Sequence, residues 1–350
     1  MPNYTKINTR SPYMLSQTGV SAGQTVQLDI YLHSEGGSEP GSPTKILSKP
    51  IPSATLLTVN FDISPYLRQL ISHTAFTPIT ALTATAAANY VYCKAVLKLG
   101  GAVQSTSYFI GYKGYGYFSD GYNPVLDANI MLDEGEYYLL KNQNNGALYY
   151  FQEQGLADDW DATYVCLDGT TANVDIDLNG QENGYIPYIP ATHKNNGGST
   201  LKIYKDSVLQ KTFTFREVCE NKYTPLVCDF VNKYGVWQTI IFFKVSKSKI
   251  NTTSSQFNMM PSSVNYNTSK NITQTFNTNG QESITVNTGW VREGYSDVMQ
   301  QILLSDTIRL DGKPVVVNTK SLDMFTSINE RVINYTLDFN YANNIVNNIQ

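Results

Sequence analysis

The fold class is decided by nine residues near the end of the chain, Ile333-Asn334-Tyr335-Thr336-Leu337-Asp338-Phe339-Asn340-Tyr341. Apolar or aromatic side chains occupy the odd-numbered positions, and polar side chains occupy the even-numbered ones. Successive side chains of a β-strand point to opposite faces of a sheet, so this pattern predicts a strand with one buried face. The same period of two recurs in residues 26–33 and 91–97, which predicts a mainly β protein.

One segment of the C-terminal region departs from this period. Its apolar residues follow the i, i+3, i+4, i+7, i+8 spacing of one helix face, at Tyr295, Val298, Met299, Ile302 and Leu303. This spacing predicts an amphipathic helix at about 295–305. Strands are predicted on both sides of it, with a tight hairpin turn at Asp311-Gly312. Residues 221–350 are therefore expected to form a β-sheet domain with one packed helix.

The rest of the 350-residue chain predicts further domains, because single hydrophobic cores stop growing at roughly 250–300 residues. Residues 1–19 are polar and predict an extended N-terminal arm. Residues 20–125 and 126–220 carry short alternating strands separated by turns, which predicts tandem β-sandwiches of immunoglobulin-like or fibronectin-like type. Residues 251–270 are rich in Asn, Thr and Ser and predict an exposed extended loop, and Asn279-Gly280 predicts a hairpin turn.

The composition and the net charge limit the kinds of molecule that the protein is expected to bind. Charged residues make up 15% of the chain, against roughly 25% in an average soluble domain, and 25 tyrosines are present. A polar but weakly charged surface suits coverage by neighbouring subunits; drift towards AT-rich codons explains the composition equally well. The net charge of −4 provides no basic face, so sequence-specific binding of nucleic acid is not expected. No apolar stretch approaches the roughly 18–20 residues that cross a bilayer, so no membrane partner is expected.

The sequence predicts no catalytic, cofactor-binding or metal site, and hence no enzyme. The three histidines, His33, His73 and His193, stand in unrelated contexts without the spacing of metal ligands. Nucleophile elbows, P-loops and dinucleotide fingerprints do not occur in the sequence. The four cysteines are scattered and are expected to be reduced thiols, at Cys93, Cys166, Cys219 and Cys228.

Two weaker hypotheses about chemical function stay open, a glycan hydrolase site and a calcium loop. Asp158, Asp159 and Asp161 flank Trp160, as acids beside an aromatic ring do in glycan hydrolases, but adjacent exposed aspartates favour a polar turn. The run Asp175-Ile176-Asp177-Leu178-Asn179-Gly180 matches the first half of a calcium loop. Its twelfth position is Ile186 where a bidentate Glu is needed, so a strand entering a turn fits better.

An aromatic segment, residues 108–118, alternates tyrosine with glycine. Glycine between rings is typical of a loop or edge strand that presents aromatic side chains. Tyr112, Tyr115 and Tyr117 are therefore a candidate contact surface, because aromatic rings offer contact area at low entropic cost. This segment favours the alternative hypothesis of a receptor-binding or adhesion module.

Two stretches of the last 130 residues carry a resemblance to known proteins. The first is Tyr223-Thr224-Pro225 with Phe230-Val231-Asn232-Lys233-Tyr234-Gly235-Val236-Trp237, and the second is Phe276-Asn277-Thr278-Asn279-Gly280 with Thr288-Gly289-Trp290-Val291. They are similar to virion structural proteins of crAss-like, short-tailed bacteriophages that infect Bacteroidetes. The residues that carry the resemblance are Tyr223, Pro225, Asn232, Gly235, Trp237, Asn279, Gly280, Gly289 and Trp290.

The resemblance implies a structural subunit of a phage virion, forming one ring of the tail barrel or neck. Its partners would be other copies of itself, in six-fold or twelve-fold symmetry, and the neighbouring tail, portal or ring proteins. Its location would be the virion, and the host cytoplasm during assembly. The alternatives are the adhesion module described above and, less favoured, a tail-associated glycan hydrolase.

Overall fold

The computed structural model describes residues 3–35, 37–52, 58–73, 79, 81–84, 89–133, 135–141, 146–153, 159–178, 181–189, 197–218, 222–260, 264–265, 267–323 and 333–346. These residues form five β-sheets and only two α-helices. The predicted mainly β fold class is confirmed. Neither helix is long and apolar enough to cross a membrane, within the part of the chain that is described.

The elements follow one another in three groups. The first contains β1 (Thr5–Asn8), β2 (Met14–Thr18), β3 (Thr25–His33), β4 (Lys45–Pro50), β5 (Thr58–Asp62), α1 (Ser64–Arg68), β6 (Thr83–Ala84), β7 (Tyr90–Leu99) and β8 (Ala102–Tyr112). The second contains β9 (Glu136–Leu139), β10 (Ala147–Phe151), β11 (Trp160–Cys166), β12 (Thr171–Asp175), β13 (Asn183–Pro187), β14 (Gly198–Lys205) and β15 (Val208–Glu217). The third contains β16 (Leu226–Val231), β17 (Trp237–Phe242), β18 (Lys247–Asn258), β19 (Thr273–Val291), α2 (Tyr295–Leu303), β20 (Ile308–Leu310), β21 (Lys313–Val317) and β22 (Ile333–Asn344).

The N-terminal group is a five-stranded sheet, in the order β1-β8-β7-β3-β4, packed against the β2-β5 pair and α1. The alternation in β3 and β7 fills the core between them, and Cys93 is completely buried there. The prediction of an extended arm at residues 1–19 is wrong, because β1 pairs in parallel with β8 and Ile7 is completely buried. A four-residue strand is too short to show the period of two that identified the others.

The middle group forms two facing sheets, in the orders β12-β11-β14-β15-β9 and β10-β13-β6. Strand β6 lies within the predicted first domain, yet it pairs with β13 of the middle group. The apolar core of the middle group continues into the C-terminal sheet, from Trp160 through Phe215 and Phe230 to Phe339. The three groups are therefore joined by shared packing and by an exchanged strand.

The C-terminal group is an antiparallel seven-stranded sheet in the order β17-β16-β20-β21-β22-β19-β18. The predicted helix is confirmed as α2, whose buried residues Val298, Met299 and Ile302 join the core of this sheet. The predicted turn between β20 and β21 is also confirmed. Asp311 and Gly312 both have positive φ, 46° and 76°, as a two-residue hairpin loop requires.

Two expectations in this region are wrong. Residues 251–258 of the loop predicted at 251–270 belong instead to the strand β18, which pairs with β19 from Lys247 to Asn258 with one register shift between Thr253 and Ser255. Asn279-Gly280 is not a turn but lies inside β19, where Asn279 pairs with Thr253 and Gly280 with Thr252. Because Asn, Ser and Thr also favour turns, their abundance concealed a strand that is solvated on both faces.

The N-terminal and C-terminal groups meet backbone to backbone at two glycines. Gly114 and Gly235 lie so close that a Cβ atom on either would overlap the other segment. The amide of Tyr115 donates to the carbonyl of Lys233 at 2.8 Å, and His73 Nε2 lies 2.8 Å from the carbonyl oxygen of Gly235. Such close approach is available only to residues without a side chain.

Candidate functional site

The first group of motif residues builds a turn. Asn232 Oδ1 accepts hydrogen bonds from the amides of Tyr234 (3.0 Å) and Val236 (3.3 Å), and Asn232 Nδ2 donates to the carbonyl of Met131 (3.0 Å). Gly235 has φ +83°, a left-handed backbone conformation that glycine adopts without steric cost. Trp237 is buried at the start of β17, and Tyr223 and Pro225 are half-buried before β16. These residues hold the β16–β17 hairpin.

The second group of motif residues lies on β19, and one of them is presented to solvent. Gly289 has φ +74° and interrupts the register between β19 and β22. A Cβ at Gly289 would overlap the ring of Phe243, so a glycine is required both by the bulge and by the packing. Trp290 follows at 61% exposure. Tryptophan is enriched among the residues that contribute most to protein–protein binding, so the exposed ring of Trp290 is a candidate contact.

The hairpin of β18 and β19 is an exposed feature at one edge of the C-terminal sheet. Strand β18 is the last strand of its sheet, and all twelve of its residues are exposed. Among the described residues, ladder pairing between β19 and β22 begins at Gln281, and residues 273–278 pair with β18 alone, while the side chain of Asn279 is hydrogen-bonded to the backbone of Val346. We call the protruding part, 252–258 with 273–279, the ribbon. It extends beyond the sheet by seven residues, or about 23 Å at roughly 3.3 Å per residue.

The ribbon and its flanks display apolar side chains to solvent. The rings of Phe257 and Phe276 contact each other edge to face, with centroids 5.7 Å apart. Met260 and Val264, beyond the end of β18, are more than nine-tenths exposed. The only charged residues of β18 are Lys247 and Lys249, at the end nearest the sheet. The ribbon therefore lacks the charges and prolines with which free proteins protect a sheet edge.

Of the three tyrosines predicted to form a contact surface, only Tyr117 is exposed. Tyr112 is completely buried, and its hydroxyl donates to Asn183 Oδ1 at 2.5 Å. Tyr115 is half-buried beneath the guanidinium of Arg10, and Tyr117 is exposed. Tyr112 ends β8 on the face that packs against β10 and β13, which the alternation of rings and glycines did not indicate.

The exposed aromatic residues lie further along the chain. A cleft of about 670 Å³ is lined by Arg10, Pro12, Met14, Tyr117, Phe118 and Tyr122. Phe118 is fully exposed, and Tyr122 is 71% exposed. Arg10 is fixed in the cleft by an ion pair with Asp306 at 3.2 Å and by donation to the carbonyl of Leu304 at 2.8 Å. The cleft thus combines exposed rings with one positioned cation.

Of the three aspartates that flank Trp160, Asp159 and Asp161 lie among the described residues. Asp159 is exposed, and its pKa is raised chiefly by the neighbouring charge of Asp161, whereas Asp158 lies outside the described residues, as do His193 and Cys219. Asp177, from the partial calcium loop, accepts hydrogen bonds from Gln152 Nε2 (2.7 Å) and the amide of Trp160 (3.3 Å). Among the described residues, no three His, Cys, Asp or Glu side chains gather as a metal site requires.

One carboxyl group has the raised pKa that a general acid needs. Burial raises the pKa of Asp229 to about 6, although Thr239 Oγ1 donates to its Oδ1 at 2.6 Å and Arg309 lies on the adjacent strand. Asp229 does not line the aromatic cleft. The raised pKa of Asp229 follows from the position of this residue in the middle of β16, where packing buries the carboxyl group.

The chain matches no protein-family model and no curated protein.

Proposed function

We propose that this chain is a structural subunit of a phage virion, forming a ring in the tail barrel or neck through contacts between the sheets of neighbouring copies. The observation that carries the proposal is the ribbon, a long unprotected sheet edge with exposed phenylalanines. In a free monomer such an edge promotes aggregation, whereas in a closed ring it is covered by the next copy.

The ribbon suits a contact that closes into a ring. The opposite edge of the same sheet, β17, is buried throughout, so the β18 edge cannot meet an equivalent of β17 on another copy. Strand β4 ends the N-terminal sheet and is almost entirely exposed. A ribbon that joins a different surface of its neighbour makes a heterologous contact, and repeated heterologous contacts generate a ring when the rotation between copies closes.

The chemistry of the described residues supports a structural role rather than catalysis. The buried carboxylate Asp229 and the buried tyrosines Tyr112 and Tyr164 are engaged in hydrogen bonds within the fold. The resemblance of residues 223–237 and 276–291 to tail-ring proteins of crAss-like phages agrees with this role. The partners we propose are other copies of the chain and adjacent tail or portal proteins.

Electron microscopy of the purified chain, and of virions with antibody bound to it, tests the proposal. We expect ring-shaped particles with six-fold or twelve-fold symmetry, and antibody at the tail or neck. A chain that remains monomeric at concentrations above about 100 μM, well beyond the dissociation constants of stable assemblies, and that is absent from virions would contradict it.

A second candidate function, adhesion to a surface glycan, is favoured by the aromatic cleft. Exposed rings beside a fixed guanidinium match the stacking and hydrogen bonding that sugars offer. We expect Phe118→Ala with Tyr122→Ala to weaken binding on a glycan array at least 10-fold, about 1.4 kcal/mol. Leu167→Ala, which removes an exposed apolar side chain outside the cleft and the ribbon, is the control. Equal signals from both variants would dismiss this function.

A further inference from the structure

Lys6 is buried with its amine directed at a side-chain amide. The residue is only 9% exposed, and Lys6 Nζ donates to Asn129 Oδ1 at 2.6 Å and to the carbonyl of Ala128 at 3.0 Å. The ring of Phe151 covers the amine, with the centroid 4.5 Å from Nζ. Because a C=O bond is about 1.2 Å long, Asn129 Cγ lies at most about 3.8 Å from Nζ, close to the separation of a near-attack geometry.

The backbones on both sides of this contact are fixed. Ile7 forms a bridge with Val125, and the amide of Leu126 donates to the carbonyl of Lys6 at 3.0 Å. The carbonyl of Asn129 in turn accepts from the amide of Phe151 at 2.7 Å. The amine and the amide therefore meet through two anchored segments rather than through free loops, which removes much of the entropic cost of a reaction between them.

The surroundings also favour the reactive form of the amine. Burial lowers the pKa of Lys6 to about 8, although the carboxylates of Asp127 and Glu153 act against the shift. A neutral lysine amine is a nucleophile, as a protonated one is not. Asp127 and Glu153 are both exposed and act on the amine through their charge, and a carboxylate is a group that can take up and return a proton.

We propose that Lys6 and Asn129 are the site of an intramolecular isopeptide bond. The lone pair of Lys6 Nζ attacks Asn129 Cγ, a new C–N bond forms, and the bond between Cγ and Nδ2 breaks. One proton of the attacking amine passes to Nδ2, which leaves as ammonia. No oxidant, metal or co-reactant is needed, and the products are the amide cross-link and ammonia.

The bond would close a loop across residues 123 positions apart in sequence. It would covalently link β1, the first strand of the N-terminal sheet, to the segment around Asn129 that leads into the middle group. Asp127 and Glu153 would act as proton carriers for the attack and for the departure of ammonia. This inference concerns the chain itself and is independent of the function proposed above.

Intact-mass spectrometry of the purified, denatured full-length chain tests the proposal. We expect a mass about 17 Da below that of the sequence, equal to one ammonia molecule. Proteolysis should then release a branched peptide containing both Lys6 and Asn129. The branched peptide distinguishes the cross-link from cyclisation of an asparagine to a succinimide, which loses the same mass.

Lys6→Arg and Asn129→Ala are each expected to restore the full sequence mass. Lys49→Arg is the matched control, because Lys49 Nζ also lies over a ring, Phe61, but donates to the backbone carbonyl of Asn60 at 2.6 Å. It should keep the mass deficit. A wild-type chain of full mass that yields only linear peptides from both residues would overturn the proposal, as would a deficit that survives in Lys6→Arg.

Asp127→Asn combined with Glu153→Gln tests the proton carriers. We expect this variant to stay at full mass, apart from the changes that the substitutions make, while circular dichroism shows a folded β protein. A cross-link that forms at the wild-type rate in this variant would exclude these two carboxylates from the reaction.

Discussion

Replacing residues 252–280 with a two-residue Asn-Gly turn is expected to give a chain that folds but does not assemble. The new turn joins Asn251 to Gln281, which already face each other in the ladder. The described side chains of residues 252–279 are not buried, and the backbone hydrogen bond that is lost runs from the amide of Ile345 to the carbonyl of Gly280, so the free energy of unfolding should fall by only about 1–2 kcal/mol. The dissociation constant of the ring should rise more than about 100-fold, because the proposed contact strand is gone. Mass photometry and thermal unfolding measure the two quantities.

A double substitution tests whether the exposed rings of the ribbon, rather than its length, are needed for assembly. Phe257→Ser with Phe276→Ser keeps the hairpin but removes the contacting rings, and it should weaken assembly in the same direction. Val316→Ser, on the exposed part of β21 in the same sheet, is the control and should assemble normally. Rings that form with unchanged symmetry and affinity after the deletion would show that the ribbon is not the contact.

Gly235→Ala is expected to destabilise the chain by about 2–5 kcal/mol, from two separate causes. A left-handed backbone costs an L-residue about 1–2 kcal/mol, and Gly235 has φ +83°. Forcing a methyl group into a filled space costs about 1–3 kcal/mol more, and the new Cβ would overlap Lys113 and Gly114. The measurement is the midpoint and slope of urea unfolding, followed by tryptophan fluorescence.

Gly312→Ala separates these two causes. Gly312 has φ +76°, almost the same as Gly235, but open space surrounds the position of its missing Cβ. It should therefore lose only the backbone cost of about 1–2 kcal/mol. Equal losses in the two variants would mean that the close approach of Gly114 and Gly235 contributes nothing to stability.

Strands and helices with a strong period were predictable from sequence. In β22 the alternation is unbroken, and in α2 five apolar residues share one face, so each pattern allows only one arrangement with a buried side. Strand β18 was not predictable in this way, because both of its faces are solvated and no side chain is selected for burial. Its Thr and Ser residues fit a strand and a loop equally well.

The candidate sites, like the strands, could be predicted from the sequence only in part. Tyr112 and Tyr117 belong to one aromatic segment, but only the packing of β8 against the middle group decides which ring is buried. The contact of Lys6 with Asn129 joins positions far apart in sequence and depends on the parallel pairing of β1 with β8. The turn at Gly235 was predictable, because an Asn-x-x-Gly sequence indicates its own backbone geometry.

The exchange of β6 into the middle group has a consequence for synthesis on the ribosome. Thr83 pairs with Tyr185, so β6 leaves the ribosome about 100 residues before its partner strand. At about 5–20 residues per second, the interval is roughly 5–20 s. During that time the nascent N-terminal sheet carries an unpaired segment, and we expect ribosome-associated chaperones to bind the chain until β13 emerges.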